Sequence, residues 1–364
     1  MKIKDITNYL ESIAPLSLQE SYDNAGLITG NKNDELKGVL ITLDTIEEVV
    51  EEAIQKGANL IVSHHPIIFK GLRKITGKNY VERTIIKAIK NDIAVYAVHT
   101  NIDNVDTGVN AMLCKKLNLI NCTILKPIKN ELRKLVTFVP ADKADDVRKA
   151  ILKAGAGKIG NYDNCSFSSS GTGTFKAGEK TNPYVGEKNK IHFENEIKIE
   201  TVFPKHLENK ILKALFQSHP YEEVAYDIYS LENNYNKAGA GMIGELKEAE
   251  DALTFLNKIK SNLNSASIRY TKLTGRKIKK VALCGGSGSF LLGDAIAQKA
   301  DIYISGDFKY HEFFDADNKI IIADAGHYET EQFTKELIFD VLMEKYTNFA
   351  CFLSEVNTNP INYL

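Results

Sequence analysis

The sequence of 364 residues carries 46 basic and 47 acidic side chains, a formal net charge of −1, and 43% apolar residues. This composition is typical of a globular protein of two or three domains and excludes a disordered or collagen-like chain, while the five widely spaced cysteines fit reduced thiols better than a disulfide framework. A net charge near zero does not attract polyanions, and no uncharged apolar run approaches membrane-spanning length. We therefore expect a cytoplasmic protein that binds neither nucleic acid nor a membrane.

Short apolar runs alternate with amphipathic helices over residues 1–126, which predicts β-α-β units around a parallel sheet. The run Val39–Leu43 predicts a buried strand. Thr45, with Glu48 three positions later, has the pattern of a capping box at the start of the following helix. Asn79 and Glu82 predict a second helix start of the same kind.

Two further strands of this segment end in polar clusters. Leu60–Val62 leads into Ser63-His64-His65-Pro66, and Ile93–Val98 leads into His99-Thr100-Asn101-Ile102-Asp103. In open α/β sheets, ligands bind beyond the carboxyl ends of the strands, so both clusters are candidates for a functional site.

Residues 127–238 follow a different order, β-α-β-β-α-β. Apolar side chains occupy odd positions from Ile191 to Phe203, which is the alternation of an antiparallel strand with one buried face. Helices carrying Val147 and Ile211 precede and follow the central strands. This order is the ferredoxin-like plan, and we predict an inserted α+β domain of that type.

The β-α-β pattern resumes over residues 239–364. The predicted strands are Val281–Leu283, Ile302–Ile304 and Ile320–Ala323, and a long helix is predicted over Tyr328–Tyr346. We therefore predict an α/β fold in which two β-α-β lobes, residues 1–126 and 239–364, form one discontinuous domain and flank the inserted ferredoxin-like domain.

Three imidazoles and two carboxylates form the candidate metal site. His327 and Glu331 are four residues apart at the start of a predicted helix and so project from one face. The candidate ligands are His64, His65, Asp103, His327 and Glu331. Nitrogen and carboxylate donors suit two divalent ions such as Zn, Mn, Fe or Co. The alternative for each residue is an ordinary hydrogen-bonded polar side chain, although adjacent histidines are hard to bury without a polar reason.

Further polar residues stand beside these candidates. Four of them are candidates for orienting the ligands or exchanging protons, or are simply polar surface residues: His99, Asp307, Lys309 and His311. The loop Gly285–Gly288 follows a strand and either cradles a phosphate or forms a tight turn near the metals. It lacks the Lys-Ser/Thr of a P-loop.

Six motifs match a known family in order and identity. They are Asp23-Asn24-Ala25-Gly26-Leu27, Ser63-His64-His65-Pro66, His99-Thr100-Asn101-Ile102-Asp103, Gly285-Gly286-Ser287-Gly288, Ser305-Gly306-Asp307 and Gly326-His327-Tyr328-Glu329-Thr330-Glu331. The series resembles the dinuclear-metal-centre proteins labelled GTP cyclohydrolase I type 2 homologues, the Nif-three-like family. Residues 127–238 resemble the PII/CutA-like domain inserted in its longer bacterial members.

The resemblance implies a toroidal homohexamer with two divalent ions per subunit. His65 and Asp103 would hold one ion, His64 and His327 the other, and Glu331 would bridge them.

The same resemblance implies a metal-dependent hydrolase in which metal-activated water attacks a nucleotide, with GTP as the leading candidate. A phosphoester would suit the same metals. The alternative is a non-enzymatic hexameric metal-binding, metal-delivery or regulatory protein, whose inserted domain acts as a lid, a trimerisation element or a sensor. A nucleic-acid partner would need a basic patch that the linear charge pattern does not contain.

Overall fold

The computed structural model describes residues 1–364 as two compact units. Unit 1 comprises Met1–Pro127 and Asn236–Leu364, and unit 2 comprises Ile128–Tyr235. Both units combine sheets with helices, which confirms the mixed α/β class predicted from the sequence. No helix combines the length and the apolar character needed to cross a lipid bilayer.

The first half of unit 1 supplies one parallel strand set. Its elements are α1 (Ile3–Ile13), β1 (Gly26–Thr29), β2 (Val39–Thr42), α2 (Glu47–Gln55), β3 (Leu60–Ser63), α3 (Tyr80–Lys90), β4 (Ala94–Ala97), α4 (Thr100–Asp103), α5 (Val109–Lys116) and β5 (Ile120–Ile128). Strands β2, β3 and β4 pair in parallel and are buried along their whole length. Burial on both faces explains why they are continuous apolar runs in the sequence.

The two predicted helix starts of this half have different outcomes. Asn79 caps α3, because its side chain accepts a hydrogen bond from the backbone N–H of Glu82 at 2.9 Å. The capping box predicted at Thr45 is wrong. Helix α2 begins at Glu47 without a side-chain cap, and Thr45 is buried, so its hydroxyl packs inside the unit instead of turning to the helix.

Unit 2 contains one antiparallel sheet and two helices. Its elements are β6 (Leu132–Pro140), α6 (Ala144–Lys153), β7 (Ser166–Lys176), β8 (Ile191–Pro204), α7 (Glu208–Ser218) and β9 (Tyr226–Leu231), with the strands in the order β7-β8-β6-β9. Both helices pack on Ile199 and Phe203 of β8, which form part of the core of this unit. Ile191 and Phe193 share the same face but are 69% and 68% exposed, so only one half of β8 has the predicted buried face.

The second half of unit 1 supplies the other parallel set. Its elements are β10 (Tyr235–Glu250), α8 (Ala252–Asn262), β11 (Arg269–Tyr270), β12 (Ile278–Ser287), α9 (Leu292–Ala297), β13 (Ile302–Gly306), β14 (Ile321–Asp324), α10 (His327–Glu331), α11 (Thr334–Lys345) and β15 (Cys351–Leu353). The single helix predicted over residues 328–346 is therefore wrong, since two helices occupy it. The break falls where Phe333 enters the core and the Gln332 amide donates to the Leu263 carbonyl at 2.8 Å.

Two sheets form the framework of unit 1. The five-stranded sheet has the order β1-β4-β3-β2-β15, and the six-stranded sheet has the order β11-β14-β13-β12-β10-β5. Strands β12, β13 and β14 are parallel. The polar clusters follow the carboxyl ends of β3 and β4 in one sheet and of β13 and β14 in the other. Side chains from the two halves of the chain meet at these ends.

Candidate metal centre

The adjacent histidines that follow β3 are each fixed through one ring nitrogen. His64 is fully buried and its Nδ1–H donates to the backbone carbonyl of Val98 at 2.8 Å. Nδ1–H of His65 donates to Oδ1 of Asp44 at 2.7 Å. An imidazole that donates through Nδ1 presents a lone pair at Nε2 when it is neutral, which is the state of a metal ligand.

The same arrangement recurs at the other two histidines of this site. Nδ1 of His99 contacts Oδ1 of Asp23 at 2.7 Å, and Nδ1 of His327 contacts Oδ2 of Asp307 at 2.7 Å. Carboxylate partners of this kind fix the tautomer and orientation of a ligating imidazole and raise its basicity. Asp307, which is a candidate from the sequence, thus acts through His327.

Glu331 lies at the centre of the cluster. Its Oε2 is 3.0 Å from Nε2 of His65 and 3.0 Å from Nε2 of His327. The same oxygen is 3.6 Å from Nε2 of His64, which in turn is 3.8 Å from Oδ1 of Asp103. The structure therefore brings together all five residues that the sequence offers as metal ligands.

The five residues fall into two overlapping groups that could each hold an ion. One group is His65, His327 and Glu331, and the other is His64, Asp103 and Glu331, with ligand atoms within 4.8 Å of one another. The resemblance implies a different pairing, His65 with Asp103 and His64 with His327, which stays a prediction. In the structure, the bond of His64 to the Val98 carbonyl holds it beside Asp103, while His65 lies beside His327.

Two orphaned atoms test whether cations fit these groups. Nε2 of His64 and Oδ1 of Asp103 are buried and have no hydrogen-bond partner. Buried polar atoms without a partner are costly, and they are rare in native proteins. In addition, Nε2 of His65 lies 3.3 Å from Nε2 of His327, although both rings donate through Nδ1. Cations bound to these donor atoms would remove both difficulties, so the residues fit divalent ions.

The acid–base properties of the cluster agree with a demand for positive charge. Burial and the neighbouring Glu331 carboxylate raise the pKa of Asp103 to about 8. Burial opposes a charge on His65, but the hydrogen bonds with Asp44 and Glu331 outweigh burial and raise its pKa to about 10. Protons and divalent ions compete for the same donor atoms, so metal binding is linked to proton release.

Gly286 makes room for the central carboxylate. It has a φ of +62°, and a Cβ at this position would overlap Oε1 of Glu331. The backbone N–H groups of Gly285 and Gly286 donate to the side chains of Asn110 and Thr330. Because these N–H groups already have partners within the protein, the phosphate-cradling alternative loses support. The predicted tight turn is also wrong, since Gly285 and Gly286 lie within β12, where its pairing with β13 is irregular.

A cavity of about 380 Å³ opens onto the cluster. Its lining includes three largely exposed aromatic side chains, Tyr22, Phe69 and Phe290. His99 also lines the cavity, with its ring centroid 5.3 Å from that of His64. Of the remaining candidates, neither Lys309 nor His311 lines this cavity. Both are exposed, and the ring of His311 lies against that of Phe314.

Sequence reasoning misses two carboxylates of the site. Asp44 is not among the candidates, although it follows β2 at the strand end that carries the other candidates. Asp23 appears only as part of a motif, without a role. The signal for Asp44 is its position after a buried strand of the same parallel sheet.

Comparison with known proteins gives concordant matches over the full chain. A family model described as Duf34/NIF3 (NGG1p interacting factor 3) matches residues 1–360. Two bacterial relatives are each named "GTP cyclohydrolase 1 type 2 homolog". The one from Bacillus subtilis is 38% identical and that from Halalkalibacterium halodurans is 39% identical, with 99% of this chain and 98% of each relative covered. A crystal structure of a Bacillus cereus protein related to NIF3 matches with a TM-score of 0.87 and 39% identity, covering 100% of this chain and 99% of that chain.

Proposed function

This chain belongs to the Duf34/NIF3 family, and from that premise we propose that it binds two divalent ions and acts as a metal-dependent hydrolase on a nucleotide, with GTP as the leading candidate. The observation that carries the proposal is the convergence of three imidazoles and two carboxylates. Two of their buried donor atoms, Nε2 of His64 and Oδ1 of Asp103, have no hydrogen-bond partner. The name shared by the curated relatives supports the choice of GTP.

The proposal assigns a role to each ligand. His65 and His327 would hold one ion, His64 and Asp103 the other, and Glu331 would contact both. Bound divalent ions, which here would be Zn, Mn, Fe or Co, supply Lewis acidity that acidifies a water molecule and polarises the bond it attacks. Asp44 and Asp307 keep the lone pairs of their histidines directed at the ions.

Other residues of the cavity would bind the substrate and move protons. The rings of Tyr22, Phe69 and Phe290 offer faces on which a planar base can stack. His99 would exchange a proton with the substrate through Nε2, since its Nδ1 is held by Asp23. Burial opposes ionisation of Asp23, but hydrogen bonds from His99 and Thr100 outweigh burial and lower its pKa to about 2, so this carboxylate stays charged and keeps orienting the ring.

Metal content per subunit tests the site directly. Elemental analysis of tag-free protein purified without chelators should give close to two ions for the wild type. Glu331→Gln and His65→Ala should lose one or both ions while remaining folded by circular dichroism. His192→Ala, a histidine change in unit 2, is the matched control and should retain both ions. A wild type that stays empty after incubation with Zn, Mn and Fe would remove the proposal.

One observation favours a second candidate function, a non-enzymatic metal-binding, metal-delivery or regulatory protein. The residues lining the cavity include no Lys or Arg, so a triphosphate would depend on the ions alone for positive charge. Turnover distinguishes the two functions. A hydrolase should convert GTP or a nucleotide phosphoester with metal-dependent kinetics that Glu331→Gln abolishes. A delivery protein should show no turnover but should transfer its ion to an apo acceptor.

The proposal extends to domain structure and assembly. We propose that residues 127–238 form an inserted ferredoxin-like domain of the PII/CutA-like type, a proposal supported by the strand order β7-β8-β6-β9. We also propose a toroidal homohexamer. Exposed aromatic side chains at Tyr310 and Phe314 support a buried contact between copies. Light scattering should give six times the subunit mass, and Tyr310→Glu should lower it; a monomer in the wild type would contradict the hexamer.

A further inference from the structure

Unit 2 contains a cavity of its own, with a volume of about 600 Å³. It is bounded by β7, β8 and the segment 221–225, all of which belong to this unit. Pockets of roughly 300–1,000 Å³ are typical of small-molecule sites. None of the candidate metal ligands lines it, so it is a separate site from the cluster described above.

Aromatic rings form one part of the wall. The ring centroid of Tyr221 is 6.0 Å from that of Phe175 and 6.3 Å from that of Tyr184. Tyr184 is 47% exposed, so its ring is accessible rather than part of the core. A group of adjoining rings presents several negative π faces to one volume, which is the environment that attracts a cation.

A carboxylate with no cationic partner faces the same volume. Oε1 of Glu196 accepts a hydrogen bond from the Tyr221 hydroxyl at 2.8 Å, and this bond leaves the negative charge of Glu196 unneutralised. After burial, the hydrogen bond with Glu196 and then the charge of Glu196 are the main reasons that the pKa of Tyr221 is raised. Gly173 on β7 admits this carboxylate, because a Cβ there would overlap Oε2 of Glu196.

The lysines near the cavity do not balance this charge. Lys198 and Lys176 both line the cavity. The ammonium group of Lys198 is paired with Oε1 of Glu200 at 2.5 Å, and Glu200 lies outside the cavity. Lys176 follows Phe175 in β7, so strand alternation directs its side chain to the opposite face of the sheet from that of Phe175. Two further carboxylates, those of Glu222 and Glu223, line the cavity. The wall is therefore aromatic and net negative.

We propose that this cavity of unit 2 binds a small organic cation, an amine or a quaternary ammonium compound, between the rings of Tyr184, Tyr221 and Phe175 and the carboxylate of Glu196. The rings would contact the alkyl groups around the charged nitrogen, and Glu196 would supply the counter-charge. A desolvated cation–π contact and an unpaired carboxylate both favour such a ligand over a neutral one of equal shape.

The test compares two probes of the same shape on the full-length protein. Choline carries a quaternary nitrogen, and 3,3-dimethylbutan-1-ol has a carbon atom in its place. Binding is measured by isothermal titration calorimetry and by saturation-transfer NMR. Choline should bind at least about tenfold more tightly than the neutral alcohol, the difference that roughly 1.4 kcal/mol of cation-specific attraction produces.

Paired variants locate the site. Glu196→Gln keeps an acceptor for the Tyr221 hydroxyl but removes the charge, and it should weaken choline binding about tenfold. Glu208→Gln makes the same change at the start of α7, outside the cavity, and should leave choline binding unchanged. Tyr184→Ala, which removes an exposed ring, should also weaken binding while the circular dichroism spectrum stays that of the wild type.

Several results would overturn the inference. Equal binding of choline and the alcohol would mean a merely apolar cavity. Equal loss in Glu196→Gln and Glu208→Gln would place the site elsewhere. Binding of inorganic phosphate or ATP in place of choline, with loss in Lys198→Ala, would assign the cavity to anions. No binding of choline at millimolar concentration, with Tyr184 protected from solvent in the assembled protein, would mean that another copy of the chain fills the cavity.

Discussion

Gly286→Ala should separate metal binding from stability. The substitution places a methyl group where it overlaps Oε1 of Glu331 and lies 3.0 Å from its Cδ. The far end of a glutamate side chain can rotate away, so this contact adds little to the free energy of folding. Rotation, however, moves the carboxylate that both ion groups share. Displacement of such a ligand should weaken metal affinity by about 10–100-fold, the range seen for changes beside metal ligands.

The stability cost of the same variant should come from the backbone. A residue with a Cβ at a φ of +62° is strained by about 1–2 kcal/mol. Gly57 is the matched control, since its φ is +68° and no atom lies within 4 Å of the position that a Cβ would take there. Gly57→Ala should therefore lose a similar free energy of unfolding but keep its metal.

Metal affinity and unfolding are measured separately for the two variants. Competition with a fluorescent chelator gives the affinity, and urea unfolding in excess EDTA gives the stability of the metal-free protein. If Gly286→Ala binds ions as tightly as the wild type, Glu331 is not the shared ligand, and its contact with position 286 has no bearing on the metals. If Gly57→Ala also loses its ions, the loss reflects general destabilisation.

Three further predictions concern other parts of the chain. Asp44→Asn removes the charge that orients His65 and should weaken metal affinity by about 10–100-fold in the chelator assay; an unchanged affinity would deny the orienting role. Burial opposes ionisation of Glu52, but its hydrogen bonds, first the one with Ser354, outweigh burial and lower its pKa. The ionised side chain therefore stabilises the fold at pH values above the ordinary glutamate pKa, and this stabilisation is lost as the pH falls. Glu52→Gln should be less stable than the wild type at pH 7, and urea unfolding should show the difference shrinking below about pH 4.3, whereas a constant difference would contradict this. Phe203→Ala in the core of unit 2 should cost about 3–5 kcal/mol of unfolding free energy without changing metal content, since every candidate ligand lies in unit 1; loss of the ions would refute this independence.

The sequence is informative where one local rule decides the outcome. The buried strands β3 and β4 are apolar runs, and the rule that ligands gather beyond the carboxyl ends of such strands singles out His64 and Asp103. The i, i+4 spacing places His327 and Glu331 on one helix face, and both belong to the short helix α10.

The sequence is uninformative where distant segments decide. The pairing of His65 with Asp44 depends on the register of β2 against β3, which no local pattern encodes. The break between α10 and α11 depends on Leu263, 69 residues before Gln332, and on a core that receives Phe333. Helix propensity alone favours continuation at such a point, and tertiary contacts override it.

Strand β15 has a consequence for the way this chain is made. It pairs in parallel with β2, from Cys351 against Val39 onwards, so partners in one sheet lie near opposite ends of the sequence. Contacts of such long range slow folding. During synthesis, β2 is available long before β15, and its outer edge presents unpaired backbone groups beside an apolar strand. The nascent chain therefore carries a strand edge that can pair with other chains. The risk of aggregation is greater during translation than after folding is complete.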